Sequence, residues 1–342
     1  LPHGGKNVNL SYPLLPNKTD VSLYFMGFHN FDRPIQAFLL IFLLLPALRG
    51  QEPDSSSAVV KVAGVTIDVT LPDESMKLSR EDLLAWVKAS ASTVANYYGR
   101  FPVPHLTLRV RSSYGSGIRH GVTYPRDGGL IVISVGRDTE IAETRDDWVL
   151  VHEMIHLAFP SMADDQHWIE EGISTYVEPV ARARVRNMGA ADVWRAFVRD
   201  MPKGQPGPGD QGLDNTHTWG RTYWGGGLFC LVADVRIRER TKNSKGLEDA
   251  LRGINKAGGN ISEDWDIEKA LAIGDKATGT TVLRDLYNET RDKPAPVDLD
   301  QLWKKLGVEM RDGSVQFNDK ASEADIRKAI TAPRSSAIAT RR

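Results

Sequence analysis

Val149-Leu150-Val151-His152-Glu153-Met154-Ile155-His156 is an apolar run carrying two histidines four residues apart, with a glutamate directly after the first. The run reads as a helix. Positions i and i+4 of a helix share a face, so His152 and His156 can aim two imidazoles at one point. Glu153 lies about 100° round the axis, beside that point rather than on it. In an H-E-x-x-H helix the histidines suit two ligands of a zinc ion, and the glutamate suits a general base acting on a metal-bound water. Two such histidines are also compatible with ordinary surface or core residues. A catalytic zinc takes three protein ligands and keeps one position open, so a third donor is needed nearby.

The stretch that can supply it is Trp168-Ile169-Glu170-Glu171-Gly172-Ile173-Ser174-Thr175-Tyr176-Val177-Glu178, a second helix with acidic residues at its start. Glu170 and Glu171 are rivals for the third position. One zinc ion (Zn2+) per chain is the expected cofactor.

The 342 residues are enough for one large domain or two. Hydrophobic residues make up 41% and charged residues 25%, as in globular proteins. A formal net charge of −1 carries no electrostatic footprint for nucleic acid or an anionic membrane surface, so no nucleic-acid partner is expected. Cys230 is the single cysteine, which excludes an internal disulfide and a cysteine metal cluster.

Residues 1–25 lack any period, and Met26 is the first methionine. Arg33 precedes the apolar stretch 37–48, which is short for a membrane span and suits the core of an export signal. The expectation is a signal at 26–50, with 1–25 an upstream extension foreign to the native protein. The protein is then exported, periplasmic or secreted, with no stable membrane span after cleavage; an uncleaved signal would anchor it, and a buried core helix is a further reading of 37–48.

The catalytic domain is expected over 58–332, as an α/β lobe at 58–160 and a helical lobe at 161–332. Residues 58–71 alternate with β-branched side chains and predict one or two strands around Ala63-Gly64. Ser79-Arg80-Glu81-Asp82 has the form of a capping box opening a helix that Gly99 closes. Strands are predicted at 106–110 and 130–135, with the Gly- and Ser-rich 112–129 between them a loop or irregular hairpin. The 130–135 strand could accept an extended peptide by strand addition. The motif helix is expected over 145–158 and the acidic helix over 169–187. Residues 202–218, rich in Pro and Gly, read as an exposed loop near the site. Further helices are expected at 190–201, 227–237, 246–254, 265–273, 280–291, 298–305 and 323–331, with a strand at 314–317 and a disordered tail at 333–342. Strands before the motif and helices after it make an α+β chain.

His152-Glu153-x-x-His156 followed by Trp168-x-x-Glu171-Gly172 resembles the gluzincin metallopeptidases, and most of all their M1/M61 aminopeptidase-like group. That group's glutamate helix reads W-L-N-E-G-F-A-x-Y. Glu171 then takes the ligand place and Glu170 the Asn place, and Tyr176 and Glu178 match the helix pattern. Tyr223-Trp224-Gly225-Gly226-Gly227 resembles the Y-x-K-G-A segment, whose tyrosine stabilises the tetrahedral intermediate. The resemblance covers about 145–235 and implies a thermolysin-like zincin catalytic domain. It also implies a zinc metallopeptidase acting on a peptide or protein substrate, with ligands His152, His156 and Glu171 and catalytic residues Glu153 and Tyr223. The chain departs from the group in four ways: a shorter gap between His156 and Glu171, Ala158 where a Trp is usual, Gly225 for the Lys, and nothing like the amine-anchoring G-A-M-E-N segment. Aminopeptidase specificity therefore does not carry over. A scaffold of the same fold and a zinc hydrolase of a non-peptide amide are the alternatives.

The remaining candidates stay open. Glu178, two turns beyond Glu171, could hydrogen-bond a ligand histidine or be a solvated acid. His217 could face the cleft or sit on a loop. Arg221 could bind a substrate carboxylate or lie on the surface. Tyr223 could be a packing tyrosine.

Overall fold

The computed structural model describes residues 56–126 and 128–333. The stretches read as an extension and an export signal lie outside the described residues, as does the tail from 334. Among the described residues no helix is long and apolar enough to cross a membrane.

Strand β1 (Ser57–Val62) turns into β2 (Val65–Thr70) through Ala63 and Gly64, both at positive φ, the backbone a tight hairpin requires. β2 pairs in parallel with β3 (His105–Ser113), and a parallel pair needs a crossover. Helix α1 (Arg80–Tyr98) is that crossover. Its N-terminus is capped by Ser79, whose Oγ accepts from the Asp82 N–H at 3.1 Å, and Gly99 ends it at φ 81°. β3 pairs in parallel with β5 (Leu130–Gly136), and β4 (Ile118–Tyr124) runs antiparallel on the far side of β5. The sheet order is β1-β2-β3-β5-β4.

Two expectations change here. Of the two readings of 112–129, loop or irregular hairpin, the second is the nearer: β4 is a strand that pairs antiparallel with β5, with a register irregularity between Ile118 and His120. As a sheet edge it is half-buried along most of its length, so it lacks the apolar alternation that marks a strand in sequence. The apolar β5 has both edges occupied, by β3 and β4. It cannot accept a further strand; β4 is the edge strand on that side.

The motif helix is also shorter than 145–158. A separate turn, α2 (Ile141–Arg145), precedes α3 (Val149–His156). The break is made by Asp147, whose carboxylate accepts from the Val149 N–H at 2.9 Å, the Leu150 N–H at 3.2 Å and Trp86 Nε1 at 3.1 Å. A side chain that bonds the backbone ahead of it starts a new helix.

Beyond α3 the chain is helical: α4 (His167–Arg184), α5 (Ala190–Asp200), α6 (Gly226–Arg240), α7 (Leu247–Lys256), α8 (Ile267–Thr278), α9 (Val282–Thr290), α10 (Leu299–Leu306) and α11 (Ala324–Thr331). The strand expected at 314–317 is β7 (Ser314–Phe317), paired with β6 (Val308–Arg311), a partner the sequence reading lacks. The 202–218 segment is exposed only in part. Leu213 is buried and its N–H donates to Thr290 O, while Asp210 forms a 2.7 Å ion pair with Arg221. The architecture is α+β, a mixed sheet followed by a helical lobe.

Helices α4, α6 and α7 are locked by buried charges. Arg184 bonds Glu248 at 3.1 Å, Arg238 bonds both Glu248 and Asp234 at 2.8 Å, and Tyr176 donates to Asp234 at 2.8 Å. Burial disfavours the Glu248 charge, but Arg184 and Arg238 outweigh it and hold the carboxyl at about 2 against an ordinary 4.5. A depressed carboxyl stabilises the fold above its unfolded value and loses that contribution, about 3 kcal/mol, as pH falls from about 4.5 towards about 2. Glu248→Gln should therefore be less stable than wild type at pH 7, by about 3–5 kcal/mol for a broken buried pair. In urea unfolding measured from pH 7 to pH 3, the gap should narrow below about pH 4.5; a gap independent of pH would refute the ion-pair account.

Candidate metal centre

The last turn of α3 and the first turn of α4 bring three donors together. His152 Nε2 lies 3.3 Å from Glu171 Oε2 and 3.3 Å from His156 Nε2, and His156 Nε2 lies 3.5 Å from the same Glu171 oxygen. A tetrahedral zinc with ligands at about 2.0–2.1 Å holds neighbouring donors about 3.3–3.4 Å apart. The triangle fits that ion. Among the described residues these three form a group able to hold a metal. Burial works against the Glu171 charge, yet His156, His152 and His167 hold its carboxyl well below the usual range.

The charge around the triangle points the same way. Asp147 and Glu178 are buried within each other's field, and Arg182 bonds Glu178 at 2.9 Å. Burial pushes Asp147 up to about 6 although two backbone N–H groups and Arg182 oppose it, and burial also raises Glu178 against Arg182. With Glu153, Glu170 and Glu171, the carboxylates here outnumber the cations Arg182 and His167. A divalent cation offsets that excess.

Glu153 is buried at 7% exposure and meets the edge strand. Thr123 Oγ1 on β4 lies 2.6 Å from Glu153 Oε2 and 3.0 Å from Glu153 O. Gly121, two residues earlier on the same strand face, leaves room for it: a Cβ there would come within 2.5 Å of Glu153 Cγ. Thr123 and Gly121 escape the sequence reading because neither belongs to a motif.

Tyr223 reaches the site from a π-helical turn, Gly220–Gly225, that leads into α6. π turns are rare and collect at functional sites. Burial and the charges of Glu171 and Glu153 push the Tyr223 pKa well above the ordinary phenol value, so the hydroxyl stays a donor. Its approach depends on glycine: a Cβ on Gly172 would overlap the Gly226 backbone, and one on Gly226 would overlap Trp168 O.

The other candidates fall as follows. Glu170 does not face the triangle; it accepts from His167 Nδ1 at 2.9 Å. His167 also places Nε2 3.1 Å from Glu171 Oε1, and although burial opposes its charge, Glu170 and Glu171 raise its pKa to about 9. The spacing of 167 to 170 and 171 was a visible signal, since helical i,i+3 and i,i+4 partners meet. Glu178 is buried rather than solvated; it accepts from Arg182, and Arg182 and His152 oppose the upward push of burial on its carboxyl. His217 is exposed on the loop before the π turn. Arg221 is corrected: it is neither on the surface nor free for a substrate carboxylate, because it is buried against Asp210 and donates to Gly204 O at 2.5 Å.

No protein-family profile matches the chain, and no curated protein does. Among solved structures it is similar to an aminopeptidase N family protein from Idiomarina loihiensis, with TM-score 0.57 and 13% identity over 74% of this chain and 49% of that one. It is also similar to an M1 zinc metallopeptidase from Deinococcus radiodurans (TM-score 0.46, 14% identity, 70% of this chain and 52% of that one). A third similar structure is Legionella pneumophila aminopeptidase A (TM-score 0.46, 12% identity, 69% and 28%). The chain thus spans about half the length of the first two. Over 74% of this chain its fold is similar to that of the aminopeptidase N family protein from Idiomarina loihiensis.

The glycine contact is testable by paired substitutions. Gly226→Ala should destabilise by about 1–3 kcal/mol through overpacking. Gly227→Ala meets only ordinary contacts, the nearest at 3.5 Å to Thr175. It should be neutral or stabilising by up to about 1 kcal/mol, as Ala is the better helix former. Thermal or urea unfolding of both variants checks this; equal effects would sink it.

Proposed function

We propose that the chain carries a gluzincin-type zinc peptidase site, with His152, His156 and Glu171 as metal ligands and Glu153 as general base. The observation that carries the reading is the near-equilateral donor triangle, flanked by a carboxylate from the same helix and a phenol from the facing one. When bound, zinc would polarise the scissile carbonyl and lower the pKa of a water in its open position.

The chain's own groups supply the remaining chemistry. Glu153 accepts the proton of the attacking water and returns it to the leaving amine. Thr123 occupies one of its oxygens, Oε2, which sets the plane of the carboxylate and leaves Oε1 for the water. Tyr223, held protonated, donates to the carbonyl oxygen as charge develops there. A peptide substrate lies extended along the outer edge of β4, the strand that touches the base. That strand, Ile118-Arg119-His120-Gly121-Val122-Thr123-Tyr124, carries no carboxylate to hold a substrate's free amine. Nothing in it limits cleavage to chain ends.

Zinc content and cleavage of a mixed peptide library, measured together on wild type and variants, test the reading. Glu153→Gln should keep zinc and lose turnover by several powers of ten. Normal hydrolysis by that variant would refute the base assignment, and a wild type without zinc would refute the site. Thr123→Val should keep zinc and lower kcat by about 10–100-fold with KM little changed, whereas Thr123→Ser should retain most activity.

A further inference from the structure

His167 opens α4 with its ring between two carboxylates. Nε2 lies 3.1 Å from Glu171 Oε1, and Nδ1 lies 2.9 Å from Glu170 Oε2. A carboxylate accepts, so the ring N–H that meets one is the donor. The Glu171 oxygen that His167 reaches is Oε1, whereas Oε2 faces His152 and His156. The two oxygens of the ligand therefore have separate partners. Both carboxylates are largely shielded from water, at 9% exposure for the Glu171 side chain and 14% for Glu170. This sets the pair apart from a screened surface contact.

A carboxylate free to swing can present either oxygen, or both, to a metal. A donor fixed on one oxygen removes that freedom. Tyr223 also lies in the field of Glu171, but under the proposed function its hydroxyl donates to the substrate oxygen and not to the ligand. His167 is then the donor that keeps the ligand in place, and Glu170 keeps His167 in place.

We propose that Glu170 and His167 form a positioning relay for Glu171, holding its Oε1 so that Oε2 alone faces the metal. The proposal rests on the zinc-site reading of the preceding subsection, yet it is read out by metal binding and does not require turnover.

The test uses wild type, His167→Phe, His167→Gln and Glu170→Ala. Zinc dissociation constants come from competition with a chromogenic chelator, and ligand geometry from the visible spectrum of the Co2+-substituted proteins. Melting of the metal-free proteins controls for folding. His167→Phe should weaken zinc by about 10–100-fold and shift the Co2+ bands. His167→Gln, which keeps one donor for Oε1, should recover much of the loss. Glu170→Ala should weaken zinc several-fold without removing any group that faces the metal, and it carries the test if His167→Phe fails to fold. Zinc affinity within twofold of wild type and an unchanged Co2+ spectrum in a folded His167→Phe or Glu170→Ala would overturn the relay. A wild type that binds neither metal would overturn the zinc site and the relay with it. A zinc-binding but peptidase-inactive wild type that still shows the affinity losses would refute the proposed function and support the relay.

Discussion

The helix α4 and the π turn entering α6 meet backbone to backbone at Gly172 and Gly226, with no side chain between them. Gly172 directly follows Glu171, and Gly226 lies three residues after Tyr223. The distance between the third donor and the phenol is therefore set by the closest approach two helices can make. Glycine inside a helix costs about 1 kcal/mol relative to alanine. That cost is offset by a contact that larger residues would pry open, and the extra residue of the π turn sets the direction from which Tyr223 enters.

One helix, α4, joins the candidate metal centre to the rest of the core. Its first turn carries His167, Glu170 and Glu171, and Glu178 and Arg182 lie further along it. Tyr176 at its middle and Arg184 at its end enter the buried charge network with Asp234, Arg238 and Glu248. The two clusters differ in balance. The distal network pairs two acids with two bases, and replacing one partner leaves a buried charge uncompensated. The candidate centre has more carboxylates than cations. Asp147 links both halves of the fold: it caps α3, bonds Trp86 of α1 and lies within the field of Arg182.

Local chemistry is the part of this protein that its sequence expresses well. The H-E-x-x-H spacing, the acidic start of the next helix and the order of Tyr223 after both are short-range features, and helix geometry turns them into shared faces. Helix ends marked by Ser79 and Gly99 are legible for the same reason. The break before α3 was not, because Asp147 acts through bonds to the backbone two and three residues on, and a long apolar run hides it. β4 was legible only as a loop or irregular hairpin because an edge strand beside a helix needs small and polar residues, Gly121 and Thr123, which blur the strand pattern.

By itself the sequence determined which side chains are candidates for a shared site and on which helices they stand, since periods of three to four residues depend only on backbone geometry. Tertiary structure alone decided what faces what. It chose Glu171 over Glu170 for the triangle by the rotation of α4, and gave Glu170 to His167. It sank Arg221 into an ion pair with Asp210, and set Thr123 against Glu153 across 30 residues of chain. Such contacts depend on how elements pack, and packing distances are set by glycines and buried charges whose partners lie far away in sequence.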